Sequence, residues 1–213
     1  MIEVKKLPNE LGFRVSQEML SQIYEWEHSV DELVFKEQLA TGSFRGKFPI
    51  SPELRIIMER AEQAGKLMPY YGAGGSSGAC RYKFQIDNSE CKLQVEHSVA
   101  QETLDLVGTV KKQNTLLGWI RKPEIQFSFL PYVTNEKLSH PWTGKRNLQL
   151  VCKIAEQEYQ NLKSWSNWVD EQALTARYIY QFGQVSLGST GFSVTVLDKN
   201  TKTMIDVTDY DDW

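Results

Sequence analysis

The spacing of apolar residues divides the chain into a helical first part and a mostly extended second part. Between residues 17 and about 39, apolar side chains recur every three or four positions, which is the period of an amphipathic helix. Ser16 can cap that helix, because a serine hydroxyl accepts a hydrogen bond from the first free N–H groups, while Ser29-Val30-Asp31 could divide it in two. Ser51-Pro52-Glu53 predicts the start of a second helix. The buried stripe of this helix is expected to contain Leu54, Ile57, Met58 and Ala61, and the helix is expected to end at Gly65.

After residue 79 the apolar period changes from helical to alternating, which is typical of half-buried strands. Residues 80–86 and 91–99 alternate in this way, and Asp87-Asn88-Ser89-Glu90 between them is turn chemistry. The two segments predict an antiparallel hairpin in which Ile86 pairs with Cys91. The other facing pairs in that register are Phe84 with Leu93, Tyr82 with Val95, and Cys80 with His97.

Further apolar runs predict additional strands at residues 11–15, 104–110, 116–120, 125–130 and 174–182. A second hairpin is expected to turn at Asp198-Lys199-Asn200-Thr201, between strands that start near Phe192 and end near Val207. One long helix is expected near 147–169, where apolar residues follow a helical stripe. The predicted fold is therefore α+β, with a mainly antiparallel sheet of about six to eight strands packed with two or three amphipathic helices.

The chain is expected to form a single α+β domain over residues 1–213, because its length suits one sizeable core. In this interpretation a helical N-terminal third, 1–69, leads through a glycine-rich joint, 70–78, into a β-rich remainder, 79–213.

The glycine-rich joint is a candidate binding segment, because glycine permits the positive φ angles that bring backbone N–H groups close to a ligand. The residues concerned are Gly72, Gly74 and Gly75. A phosphate-binding loop leads from a strand into the N-terminus of a helix, whereas this joint follows a helix and precedes a strand. The order favours a hinge or a surface loop over a nucleotide site.

Charge and composition exclude several classes of partner. A formal net charge of −3 and a pI of 5.7 offer no general attraction to nucleic acid or to an anionic membrane, and they favour a basic partner mildly. Three cysteines without CxxC spacing indicate neither a disulfide scaffold nor a zinc ribbon. No metal or other cofactor is expected. The N-terminal residues do not resemble a signal peptide and no apolar run reaches about 18 residues, so we expect a cytoplasmic location.

The sharpest catalytic hypothesis is the predicted pair of Cys80 and His97 on one face of the hairpin. A thiol becomes a nucleophile when a neighbouring imidazole lowers its pKa. The alternative is that the two side chains are only packed together, because the sequence places no third residue to orient the ring. The sequence favours a non-catalytic role and keeps this pair as its only named nucleophile and base.

Aromatic and acidic residues outside the predicted core stripes are candidates for protein recognition, since tryptophan is enriched at interface hot spots. An acidic C-terminal segment would suit a basic partner and speed its encounter. The candidates are Trp142, Trp168, Asp209, Asp211, Asp212 and Trp213.

The function expected from these features is a soluble intracellular protein-binding module without catalytic activity. Small bacterial immunity or antitoxin-like proteins share this general profile, without any shared motif. One alternative is a small enzyme with its pocket beside the glycine-rich loop, using the Cys-His pair. Another is a single-stranded nucleic-acid binder that uses the aromatic strand face of Tyr178, Tyr180 and Phe182, although the charge disfavours it.

Overall fold

The computed structural model of the chain describes residues 1–7, 9–44, 48–67, 80–87, 89–97, 100–112, 150–184 and 192–210. Within these residues there are three α-helices: α1 Gln17–Thr41, α2 Pro52–Gln63 and α3 Glu156–Ser164. The first strands are β1 Ile2–Leu7, β2 Glu10–Val15, β3 Ser43–Phe44 and β4 Phe48–Pro49. The later ones are β5 Cys80–Asp87, β6 Glu90–His97, β7 Glu102–Lys112, β8 Leu150–Ile154, β9 Tyr178–Gln184, β10 Phe192–Asp198 and β11 Thr203–Asp206.

Nine of these strands form one sheet, in the order β11-β10-β9-β5-β6-β7-β1-β2-β8. Every neighbouring pair is antiparallel except β1 and β7, which run parallel. The α+β class is confirmed, while the expected six to eight strands are corrected to a mixed sheet of nine among the described residues. The sequence interpretation missed β1, in which three charged residues interrupt a short apolar pattern.

The hairpin of β5 and β6 has the register that the alternating pattern predicts, with Ile86 opposite Cys91 and Cys80 opposite His97. The second hairpin, β10 and β11, is confirmed as well. Both hairpins depend on short-range alternation and turn residues, which is why their register could be predicted.

β1 lies between β7 and β2, and its parallel contact with β7 requires a glycine. A Cβ atom on Gly108 would lie 2.9 Å from the backbone nitrogen and from Cγ1 of Ile2. That is closer than side-chain atoms approach each other in folded proteins, so the absence of a side chain at residue 108 lets the two strands meet.

The sheet curls into a half-barrel around an aromatic core. The ring of Phe13 on β2 stacks at 4.5 Å on Phe84 of β5 and lies 5.5 Å from Tyr180 of β9, although several strands separate β2 from β5 and β9 in the sheet. Met19, Leu20 and Ile23 from the start of α1 belong to the same core cluster, as do Tyr159 and Leu162 of α3.

α1 confirms the predicted first helix and runs without interruption through Ser29-Val30-Asp31. The Ser16 hydroxyl accepts a bond from the Met19 N–H, as expected for an N-cap. Ser29 donates its hydroxyl to the Trp26 carbonyl, so its polar group is satisfied within the helix. The helix ends at Gly42, whose φ of 64° suits glycine.

α2 begins as predicted, because the Ser51 hydroxyl accepts a hydrogen bond from the Leu54 N–H at 3.2 Å. Its predicted buried stripe is partly wrong. Met58 and Ala61 are buried, whereas Ile57 is 47 % exposed. The first third of the chain is also less helical than expected, since β1 to β4 lie within it.

Residues 150–164 differ from the long helix predicted near 147–169. The structure has the strand β8 followed by the short helix α3. The buried residues of β8 alternate along the strand: Leu150, Cys152 and Ile154. Over so short a segment, this spacing is also compatible with the apolar stripe of a helix. Antiparallel pairing of β8 with β2 decides between the two. The predicted strands 116–120 and 125–130 lie outside the described residues.

Candidate functional site

The candidate site lies where α1 crosses the adjacent ends of β5 and β6. Cys80 is the first residue of β5 and His97 is the last residue of β6. Their backbones are direct partners, as the alternation predicts, and they are only 6 % and 0 % exposed. The hairpin therefore presents a thiol and an imidazole to the underside of the helix.

α1 adds two carboxylates one helical turn apart, Glu27 and Asp31. The Cys80 thiol donates a hydrogen bond to Oε1 of Glu27 at 2.9 Å. Nε2 of His97 lies 3.4 Å from Oδ1 of Asp31. The ring's other nitrogen, Nδ1, accepts the N–H of Ala100 at 3.1 Å, so the neutral ring carries its proton on Nε2, facing Asp31.

Burial and the neighbouring acid hold the Cys80 thiol in its protonated form. Burial raises the pKa of this thiol, and the charge of Glu27 and the hydrogen bond to Glu27 raise it further. A reactive thiolate needs the opposite environment, one with positive charge or helix N-terminal N–H groups nearby. The pair of Cys80 and His97 is therefore placed as predicted, while its catalytic role stays a prediction without electrostatic support.

Glu27 is the unusual carboxyl of this site. Burial raises its pKa above the ordinary glutamate value, and Asp31 raises it further. The hydrogen bond from Cys80 and the neighbouring His97 act in the opposite direction without cancelling the rise. A carboxyl in this environment can exchange a proton at a higher pH than a glutamate in water.

The site has no arrangement for a metal ion in the part of the chain that the structure describes, where no three His, Cys, Asp or Glu side chains are grouped as ligands. The two contacts are instead separate pairs, thiol with carboxyl and imidazole with carboxyl.

The other predicted site residue that can be placed in detail, Trp168, is in the core. Its ring lies 4.7 Å from Tyr178 and 6.1 Å from both Tyr159 and Tyr180, and 9 % of the residue is exposed. This burial argues against direct contact with a partner.

Asp209 is partly exposed, and its N–H donates to the buried Glu158 carboxylate. The remaining predicted binding residues lie outside the described residues: Gly72, Gly74, Gly75, Trp142, Asp211, Asp212 and Trp213.

Sequence reasoning missed Glu27 and Asp31, although a signal was present. The two residues are four positions apart on α1. Helical geometry places them on nearly the same side of the helix as the buried Ile23 and Val34. Acidic residues on the buried side of an amphipathic helix indicate a partner beneath it. Their partners, Cys80 and His97, could be named only once the helix was placed on the hairpin.

A second feature that the sequence did not predict is the exposure of large apolar side chains on α1, β4 and α2. The exposed fractions are 63 % for Leu33 of α1, 62 % for Phe48 of β4, 48 % for Ile56 and 47 % for Ile57 of α2. Met58, the next residue, is fully buried against Phe35 and Ile50. The orientation of α2 on α1 therefore turns two isoleucines toward solvent.

The described residues define an α+β protein built on a curled, mixed sheet of nine strands with helices packed on it. Among its described helices, none is long and apolar enough to cross a membrane. Comparisons with family models, with curated proteins and with solved structures gave no match.

Proposed function

We propose that this protein is a protein-binding module whose docking surface is formed by α2 and β4. The observation that supports this most directly is the concentration of exposed apolar side chains there. Eight large apolar side chains are exposed among the described residues, and three of them, Phe48, Ile56 and Ile57, belong to these two elements. Single exposed apolar residues are ordinary, whereas groups of them mark interaction sites.

α2 suits docking because its opposite side is already fixed. Met58 packs in a cluster with Phe35 and Ile50, so the helix does not have to fold when a partner arrives. On the helix surface, Glu53 lies about one turn before and Arg60 about one turn after the pair of Ile56 and Ile57, in nearly the same direction. An apolar centre with a polar rim is the usual anatomy of a protein interface.

The charge of the neighbouring helix favours a basic partner. α1 carries six acidic residues and a single lysine, while the whole chain has a formal net charge of −3. Negative charge beside an apolar surface speeds the encounter with a positively charged protein more than it deepens affinity. An immunity or antitoxin-like inhibitor, which masks the basic site of another protein, is the particular form of this function that we propose.

The two alternative functions receive less support. The enzyme hypothesis needs a reactive Cys80, whose environment keeps the thiol protonated. The nucleic-acid hypothesis needs an accessible aromatic face, and Tyr178, Tyr180 and Phe182 are each 0 % exposed because they form the core. Bases could not stack on these rings while the sheet keeps this fold.

The test is a comparative capture from a lysate of the source cell, with the whole chain as bait. The variant Ile56→Ser/Ile57→Ser should retain at least about tenfold less of a stoichiometric partner, because truncating interface anchors typically costs about 1–2 kcal/mol each. Met204→Ser is the matched control, since Met204 is 64 % exposed but lies on β11. It should retain the partner fully.

Equal retention by both variants contradicts the proposed surface, and capture of no stoichiometric protein by the unaltered chain contradicts the proposed function. Thermal unfolding of each variant serves as the folding control, because neither substitution removes a buried side chain.

A further inference from the structure

α1 is held by apolar contacts at its two ends and by ionisable groups in its middle. At the N-terminal end Met19, Leu20 and Ile23 enter the main core. Near the C-terminal end Phe35 packs with Ile50 and Met58. Between these ends, the described residues form a small apolar cluster with Val30 and Val34 as its buried members and Trp26 and Ala100 packed against them.

Glu27 is the centre of the ionisable middle section. The groups that face it come from three elements: Tyr24 and Asp31 from α1 itself, Cys80 and Tyr82 from β5, and His97 from β6. All are neutral or acidic, apart from the imidazole. The imidazole is directed at Asp31 through Nε2 and at the Ala100 N–H through Nδ1. No lysine or arginine is among the groups that interact with Glu27 in the described residues.

We propose that Glu27 is a proton-controlled latch that fixes the middle of α1 to the end of the β5–β6 hairpin. In its neutral form the carboxyl is a hydrogen-bonding group between the helix and Cys80. In its ionised form it is a partly buried negative charge beside Asp31, with the thiol hydrogen bond as its direct compensation. Ionisation therefore loosens this section of α1 while the apolar contacts at both ends hold. This inference does not depend on the proposed partner surface.

The sign of the effect follows from the direction of the shift. Burial, with Asp31, raises the pKa of Glu27 in the folded chain above its unfolded value. Such a group contributes stability that is fully present below the unfolded pKa and is lost as the pH rises through the folded pKa. The latch is closed in mild acid and opens toward higher pH.

Amide hydrogen exchange of the intact chain tests the latch, because it reports local opening segment by segment. After correction for intrinsic exchange, protection of residues 24–34 should fall by up to about tenfold per pH unit between the unfolded and the folded pKa of Glu27, the limit for one proton, and should level off above the folded pKa. Protection of α3 and β9 should not change in parallel. Glu27→Gln keeps the size and the acceptor oxygen but cannot ionise, so its profile should be flat.

Glu25→Gln is the matched control, because Glu25 is exposed on the same helix two residues away, and it should behave like the unaltered chain. Asp31→Asn provides a second variant, which should move the midpoint of the fall to lower pH by removing a nearby negative charge. A flat profile in the unaltered chain overturns the proposal whatever the variants do. It is also overturned if Glu27→Gln keeps the pH dependence or if Asp31→Asn leaves the midpoint unchanged.

Discussion

At the scale of single residues, burial decides what each reactive group can do. Cys80 and His97 are on adjacent strands, as a nucleophile and its base would be, yet each is directed at a carboxylate on α1. A carboxylate stabilises a protonated thiol and opposes its ionisation. The contacts of these two side chains therefore support a role in docking α1 more than a role in covalent chemistry.

This arrangement predicts a slow thiol. Cys80 should alkylate with iodoacetamide more slowly at pH 7 than a free cysteine derivative, because burial and Glu27 raise the pKa of the thiol and keep the thiolate rare. Peptide mapping by mass spectrometry separates Cys80 from Cys91 and Cys152, which are also buried and free. In denaturant all three should react at the ordinary rate. Faster alkylation of Cys80 in the folded chain would restore the enzyme hypothesis.

At the scale of the elements, the entry of β1 into the sheet depends on one backbone position. β1 is parallel to β7 and antiparallel to β2. It therefore joins β2 and β8 to the other strands, which would otherwise form a separate sheet. The close approach at Gly108 is therefore a condition for a continuous sheet of nine strands.

Gly108→Ala should destabilise the fold by about 1–3 kcal/mol, the usual cost of forcing extra volume into a packed position, because the new Cβ would meet the backbone of Ile2. Gly183→Ala is the matched control in β9. Its Cβ would be 3.2 Å from the Ser193 hydroxyl, a side-chain end that can rotate away, so the loss should be smaller. Urea unfolding measures both, and equal losses would show that the contact with Ile2 is not the cause.

At the scale of the whole molecule, the curl of the sheet makes one core out of strands that are distant in the sheet. Phe13 contributes most visibly, because its ring meets Phe84, Tyr180 and Phe182 across the half-barrel. The three helices pack in two different ways. α3 and the first turns of α1 complete this core, while α2 packs in a separate cluster and keeps apolar residues exposed.

Phe13→Ala should therefore cost about 3–5 kcal/mol, as large aromatic truncations in cores do, and should loosen both ends of the sheet together. Phe48→Ala is the control, since Phe48 is 62 % exposed and its loss should change stability by less than about 0.5 kcal/mol. Denaturant unfolding, followed by exchange at β2 and β9, measures the two effects. A loss confined to β2 would contradict a shared core.

Much of the local structure could be predicted from the sequence. The Ser16 and Ser51 caps, both N-terminal helices and the register of the first hairpin depend on residues close together in the chain. The strand β8 and the exposure of Ile57 could not be predicted in the same way. A short apolar run is compatible with two periods, and the buried side of a helix depends on where it packs.

The candidate site shows the same division. The pairing of Cys80 with His97 is a consequence of alternation and turn length, so the sequence by itself determined it. The approach of Glu27 and Asp31, the raised pKa that results for Cys80 and the curl that places Phe13 against β5 were decided by tertiary structure alone. Contacts within a helix or a hairpin follow from local geometry, whereas contacts between distant segments depend on how all the apolar surfaces are buried at once.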